Sequence, residues 1–151
     1  MTPIPPPAEA DLPPRRSARA LPAHRYLPGE GAHPRELGWV ASADFDYAWD
    51  LFDRRYFWEA HETWEAEWRP LDRGSVDAWL LQGLLCGAAF VVKQHQGVAD
   101  GAERILTRSH HALRAVVDQR GPVARGIHLP ELFRRLYAFR ETRAWPLLPP
   151  A

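Results

Sequence analysis

The residues of this chain best suited to chemistry are concentrated in one short segment, E-A-H-E-T-W-E-A-E-W, at positions 59–68. If the segment is helical, His61 and Glu65 lie one turn apart on the same face, and Glu62 is one turn from Glu65. A histidine and a carboxylate at this spacing can bind a metal ion, or a histidine base can be oriented by its acid partner. Burial would lower the pKa of His61 and the nearby carboxylate would raise it.

A helical projection with 100° per residue separates the faces of this segment. The face predicted to point inward holds Phe57, His61, Trp64, Glu65 and Trp68. The opposite face, predicted to point outward, holds Glu59, Thr63 and Ala66. Trp58 and Glu62 lie on the flank between them.

A second polar line lies inside the apolar run around L-L-Q-G-L-L-C-G-A-A-F-V-V. Gln82, Cys86, Ala89 and Lys93 follow steps of four, three and four and therefore share a helix face. A buried Gln82 amide needs partners, which we expect to be His61 or a glutamate. Lys93 is expected to neutralise a carboxylate, whereas Cys86, the only cysteine, is interpreted as a buried, inert thiol.

Apolar periodicity and capping residues predict the helices that position these groups. Helices are expected over about 44–54, 57–68, 76–95 and 99–119, with a fifth beginning near Pro130. Ser75 is the expected N-cap of the third helix, and Gly121-Pro122 ends the fourth. No strand pattern of useful length is present, so the predicted fold is all-α, a bundle of about five helices. Its paired helices resemble tetratricopeptide hairpins.

Composition divides the chain and excludes some functions. Residues 1–35 hold nine of the fifteen prolines and are predicted to be a disordered arm, with the helical domain at 36–146 and a tail at 147–151. The formal net charge is zero, which argues against nucleic-acid binding. The apolar run is too interrupted for a membrane span and no signal peptide is evident, so we predict a cytoplasmic protein with no membrane partner. A homo-oligomer is left open.

The segment L-F-D-R-R-Y-F-W-E-A-H-E-T-W-E-A-E-W-R resembles the signature L-F-x-x-x-x-Y-F-E-A-H-E-x-x-E-x-x-W of domain of unknown function family 309. Here Trp58 stands between Phe57 and Glu59, and one residue fewer precedes Phe57. L-Q-G-L-L-C-G-A-A-F, G-V-A-D-G-A-E-R-I-L and G-I-H-L-P-E-L extend the resemblance over about 45–138. The resemblance implies a helical bundle and no activity. Its motif positions are Glu59, His61, Glu62, Glu65, Trp68 and Gln82.

Three hypotheses remain open from the sequence. The first is a ligand-binding or interaction module with a polar cluster beside tryptophans, for which the additional binding candidates are Glu59, Trp58, Trp68, Gln82 and Lys93. The second is an enzyme, such as a hydrolase, with His61 as general base and Glu65 and Glu62 as its partners. A divalent metal on His61, Glu62 and Glu65 is a less favoured variant, because no further ligand is evident by spacing. The third is a purely structural polar network.

Overall fold

The computed structural model describes residues 2–151 and confirms the all-α fold, with five α-helices that form one bundle. They are α1 (Phe45–Asp53), α2 (Phe57–Trp68), α3 (Val76–His95), α4 (Ala99–Arg120) and α5 (Leu129–Thr142). Two 3-10 turns, Glu9–Asp11 and Pro34–Leu37, lie in the segment before α1. The predicted helix bounds are confirmed to within one residue.

Local chemistry explains where the helices begin. The Asp44 side chain accepts a hydrogen bond from the Tyr47 N–H (3.0 Å), which caps α1. Ser75 caps α3 as predicted, because its hydroxyl accepts from the Ala78 N–H (3.1 Å). At α5, the His128 Nδ1 accepts from the Glu131 N–H, and proline follows in the first turn, where no intrahelical N–H is needed.

Helices α1 and α2 pack together, α3 and α4 pack together, and the packing of α2 on α3 joins the two pairs. Gly83 permits the close approach of α3 to α4, because a Cβ at this position would lie 2.4 Å from the Leu113 side chain. The buried Ser109 hydroxyl donates to the Gly83 carbonyl (2.8 Å) at the same crossing. Helix α3 has the length and composition of a membrane span, but 61% of that stretch is buried inside the protein.

A short antiparallel hairpin connects α4 to α5, and the sequence analysis missed it. Strands β1 (Val123–Ala124) and β2 (Ile127–His128) are only two residues each, too short to show an alternating pattern. Both turn residues have positive φ, 46° at Arg125 and 84° at Gly126, as a two-residue hairpin turn requires.

The segment before α1 has few regular elements and lies against the helices. Ile4 and Leu27 are buried in the hydrophobic core. Three groups of this segment, Arg15 Nε and the N–H groups of Arg16 and Ser17, donate to the buried Asp50 carboxylate at 2.8–2.9 Å. The disorder predicted for residues 1–35 stays a prediction. The boundaries at 35 and 146 stay predictions as well.

Candidate functional site

The buried side of α2 differs from the one that the helical projection predicts. Glu59 and Thr63 were expected to point outward and are fully buried, whereas His61 and Glu65 were expected to point inward and are 25% and 24% exposed. The buried side centres on Ala60 and is rotated by roughly 90° from the predicted one. Phe57 and Trp64 are buried as predicted. The prediction was wrong for the other four residues because α2 is covered by α1 and the N-terminal segment as well as by α3.

His61, Glu62 and Glu65 form a cluster on the remaining side of α2, with about a quarter of each side chain exposed. His61 lies between the carboxylates, with Nδ1 3.9 Å from Glu62 Oε2 and Nε2 3.8 Å from Glu65 Oε2. The other carboxylate oxygen of Glu65, Oε1, is 3.4 Å from the Arg69 guanidinium. One ligand atom from each of the three residues can be chosen so that all lie within 4.8 Å of one another. A small rearrangement would therefore let them bind one cation.

The three members of this cluster have different pKa shifts and therefore different charges near pH 7. Burial lowers the pKa of His61, and the Glu65 charge only partly opposes this, so the imidazole is neutral near pH 7. Burial, with the hydrogen bond to Glu65 and its charge, raises the pKa of Glu62 to about 7. Burial alone would raise the pKa of Glu65. The hydrogen bond from Glu62, together with the nearby His61 and Arg69, outweighs burial and lowers that pKa. Glu65 is therefore the ionised partner and Glu62 can hold a proton.

Glu59 is a fourth titratable group on α2, separate from this cluster. Its Oε2 accepts from the Tyr26 N–H (3.0 Å), and its buried Oε1 has no hydrogen-bond partner among residues 2–151. Burial raises the pKa of Glu59 to about 7, although the hydrogen bond from Tyr26 and the Arg25 charge oppose the shift. The carboxyl is thus poised between its two protonation states near neutrality.

A cavity of about 250 Å³ adjoins the cluster where α2, α3 and α4 meet. From α2 it is lined by Trp58 and His61, from α3 by Ala89, Val92 and Lys93, and just after α3 by Gln96. Ile105 of α4 and Pro28 of the N-terminal segment complete the lining. Lys93 is its only formally charged side chain, and in the described part of the chain Lys93 forms no ion pair. The expected neutralisation of a carboxylate by Lys93 is not observed.

Sequence reasoning missed the contribution of the N-terminal segment to this site. The Trp58 ring contacts Tyr26 and His33, with ring centroids 4.8 and 5.1 Å apart, and Trp39 lies further out at 6.2 Å. These aromatic residues are separated by prolines and glycines, so they show no helical or strand period. The only available signal was the presence of Tyr26 and Trp39 in a segment otherwise poor in large side chains.

Two predicted binding residues lie away from the cavity. Gln82 is half-buried on α3, does not line the cavity, and forms no side-chain hydrogen bond within residues 2–151, so the predicted contact with His61 or a glutamate is not made. Trp68 packs under the Arg73 guanidinium, 3.6 Å from the ring centroid, and its buried Nε1 has no partner there. Neither side chain belongs to the lining of the cavity.

The remaining reactive side chains are accounted for by their surroundings. The His110 Nδ1 lies 3.0 Å from the Tyr137 hydroxyl, and the His95 Nε2 lies 2.6 Å from the Thr2 carbonyl. His111 is exposed. Cys86 is buried, and burial raises the pKa of its thiol to about 11, which keeps it protonated and unreactive.

The fold and site define a small helical-hairpin protein with a His/Glu cluster beside an aromatic cavity. Residues 45–105 match the family described as Domain of unknown function (DUF309), which confirms the resemblance over α1, α2, α3 and the start of α4. The matched region contains His61, Glu62, Glu65 and Lys93, and it ends before α5. No curated protein and no solved structure matches the chain.

Proposed function

We propose that this protein binds a small organic anion in the cavity between Trp58, His61 and Lys93. The observation that carries the proposal is Lys93, which has no ion-pair partner within residues 2–151 and is the single formal charge in a cavity otherwise lined by aromatic, aliphatic and neutral polar groups. A half-buried ammonium without a carboxylate partner favours a ligand that supplies the missing negative charge. Glu62 and Glu65 do not line the cavity.

The lining also limits the rest of the ligand. The Trp58 ring offers a flat apolar surface, and Ala89, Val92 and Ile105 add aliphatic contacts. A volume of about 250 Å³ corresponds to roughly eight waters at ~30 Å³ each, so the ligand is small. Neutral His61 and Gln96 can donate or accept hydrogen bonds. A carboxylate or phosphate monoester with one ring or a short aliphatic body fits these groups.

Because Lys93 is the only lysine, it can be observed selectively. Reductive methylation with ¹³C-formaldehyde keeps the ammonium charge and labels Lys93 and the terminal amino group alone. We expect benzoate and phenyl phosphate to shift the Lys93 methyl signal saturably, whereas the terminal signal does not follow the same curve. Benzylamine, a cation of similar shape, should leave both signals in place. The absence of a saturable shift with both anions would overturn the proposal.

A charge-matched pair of variants tests the same point without labelling. Lys93→Met removes the ammonium and keeps the aliphatic stem, whereas Arg104→Met removes an exposed cation of α4 outside this cavity. Calorimetric titration should show that Lys93→Met binds the anion at least about tenfold more weakly than the wild type, a loss equivalent to ~1.4 kcal/mol. Arg104→Met should bind as the wild type does. Equal losses in both variants would indicate nonspecific attraction by net charge.

A second candidate function is hydrolysis with His61 as general base. It is favoured by the position of neutral His61, which lines the cavity and lies between Glu62 and ionised Glu65. Glu65 would orient the imidazole and stabilise its protonated form after it takes a proton from water. A divalent metal held by one nitrogen of His61 and by both carboxylates would be a variant of the same chemistry.

Metal analysis and activity measurements separate this candidate from simple binding. Elemental analysis after dialysis against Zn²⁺ or Mn²⁺ should give about one ion per chain for wild type and His111→Ala, and none for His61→Ala, if the metal variant is correct. Hydrolysis of p-nitrophenyl acetate tests the metal-free version. A turnover identical in wild type and His61→Ala would exclude His61 as the base in that reaction.

A further inference from the structure

Residues 20–39, here called the N-terminal wall, cover the end of α2 that carries Trp58. Tyr26 and His33 both contact the Trp58 ring, and they contact each other as well. The Pro28 carbonyl accepts from Gln96 Nε2 (2.9 Å), and the Pro28 ring lines the same cavity as His61. The N-terminal wall therefore completes the cavity on the side that the helices leave open.

The attachment of the N-terminal wall to α1 and α2 is specific as well as apolar. Leu27 is 4% exposed and belongs to the hydrophobic core. The Tyr56 hydroxyl donates to the Pro22 carbonyl (2.9 Å), and the Tyr47 hydroxyl donates to the Ala20 carbonyl (2.8 Å). The Trp39 indole N–H donates to the same Tyr47 hydroxyl (3.1 Å). These bonds fix the two ends of the N-terminal wall.

Between those ends, a buried carboxylate holds the residue that contacts Trp58. Glu59 is 0% exposed, and its Oε2 accepts the Tyr26 backbone N–H at 3.0 Å. A hydrogen bond with a charged acceptor is stronger than a neutral one, and a backbone N–H left without a partner in the interior is destabilising. The Tyr26 ring is therefore held against Trp58 through a bond made one residue further along α2.

We propose that the N-terminal wall is a working part of the ligand site and that Glu59 is the positioning residue that holds it there. The ligand does not touch Glu59. Glu59 holds the Tyr26 backbone, and the Tyr26 ring holds the Trp58 ring. Pro28 is two residues after Tyr26, so the same bond keeps Pro28 at the cavity. The part of this proposal that concerns ligand affinity rests on the proposed function, whereas the part that concerns the position of the N-terminal wall does not.

Hydrogen exchange of the full chain, followed by mass spectrometry, tests the position of the N-terminal wall without any ligand. In the wild type we expect peptides that contain Tyr26 and Leu27 to exchange slowly. Glu59→Met keeps the side-chain length and removes the acceptor, so exchange in residues 20–39 should accelerate about tenfold, the effect of losing one hydrogen bond of ~1.4 kcal/mol. Glu59→Gln keeps an oxygen that accepts from Tyr26 and should restore slow exchange. Peptides from α3 and α4 serve as the internal control.

Gln96→Ala provides a second test that leaves the core intact. It removes the bond to the Pro28 carbonyl at the outer edge of the N-terminal wall, so exchange near Pro28 should accelerate while residues 20–24 stay protected. Wild-type exchange in residues 20–39 at the rate of an unfolded peptide would overturn the proposal and support the disordered arm predicted from composition. Acceleration by Glu59→Met that is equal in all helices would overturn it too, because Glu59 would then be a general stabiliser.

Ligand titrations of the same variants separate this inference from the proposed function. Benzoate binding should weaken about tenfold in Glu59→Met and be rescued in Glu59→Gln. If exchange behaves as expected but benzoate and phenyl phosphate never bind the wild type, the proposed function fails and the N-terminal wall keeps its position. If the anions bind with equal affinity in the wild type and Glu59→Met, the N-terminal wall has no role in the site.

Discussion

Helices α1 and α2 both carry carboxylates that are largely or wholly removed from water, but only those of α1 are fully hydrogen-bonded. Asp50 accepts from Arg15 and from two backbone N–H groups, and Asp53 accepts from the Trp49 indole (3.1 Å) and the Leu148 N–H (2.8 Å). Every oxygen of both residues has a partner. On α2, by contrast, one oxygen of fully buried Glu59 has no partner among residues 2–151.

This difference distinguishes a structural polar group from a candidate functional one. A buried acceptor with all of its bonds satisfied holds chain segments together, and Asp50 and Asp53 attach the N-terminal and C-terminal segments to α1 in this way. A polar group left incomplete in the protein alone is destabilising unless something else completes it. Helix α2 carries Trp58 and His61 of the cavity, and within residues 2–151 it also carries all of the incomplete groups, those of Glu59, Thr63, Trp64 and Trp68. The comparison therefore assigns stability mainly to α1 and binding mainly to α2.

The largest expected effect is at Asp50. Asp50→Ala leaves two N–H groups and the Arg15 guanidinium without their acceptor, so the free energy of unfolding should fall by about 3–5 kcal/mol. Urea unfolding followed by tryptophan fluorescence measures the loss. Asp46→Ala, on the exposed side of the same helix, should change stability by less than about 0.5 kcal/mol. Similar values for the two variants would contradict the structural role given to α1.

The next largest effect is the pH dependence caused by Glu59. Burial raises its pKa from 4.5 in the unfolded chain to about 7 in the fold, so the folded state binds the extra proton between these values. The resulting stability is fully present below pH 4.5 and is lost as pH rises through 7, by up to about 3 kcal/mol. In urea unfolding between pH 4.5 and 8, Glu59→Gln should flatten the decline by that amount.

Glu36→Gln serves as the charge control for this experiment because Glu36 is exposed. Its stability curve should remain parallel to that of the wild type. If Glu59→Gln also remained parallel to the wild type, Glu59 would titrate alike in the folded and unfolded chains, and the contrast drawn between α1 and α2 would lose its main support.

At His61 we expect binding and stability to respond differently. His61→Ala should weaken benzoate or phenyl phosphate binding about tenfold, or ~1.4 kcal/mol, because His61 lines the cavity. Its side chain is 25% exposed, so the loss of stability should stay near 1 kcal/mol. His111→Ala, an exposed histidine of α4, is the matched control. If His61→Ala unfolds at room temperature, the His61 cluster stabilises the fold as the carboxylates of α1 do and is not primarily a binding site.

The fold was predictable from the sequence where the information is local. Periodicity gave α2 its bounds, and Ser75 marked the start of α3. The orientation of Glu59 was not predictable, because it depends on Tyr26, which is thirty-three residues earlier in the chain. Projection of one helix cannot show that two sides of it are covered. Composition also concealed the partner, since Tyr26 and Leu27 lie among prolines and glycines without a recognisable period.

The smallest expected effect is at Thr63 of α2, and Ser109 of α4 is its control. Thr63 is fully buried and its Oγ1 has no partner among the described residues, whereas the equally buried Ser109 donates to the Gly83 carbonyl. Thr63→Val keeps the shape and removes an unpaired hydroxyl, so the free energy of unfolding should stay equal or rise by up to about 1 kcal/mol. Ser109→Ala removes a satisfied donor and should lower it by about 1 kcal/mol. A destabilised Thr63→Val would mean that the Thr63 hydroxyl has a partner in solution, such as a buried water shared with Glu59. The buried polar groups of α2 would then have a structural role, as Asp50 and Asp53 have on α1.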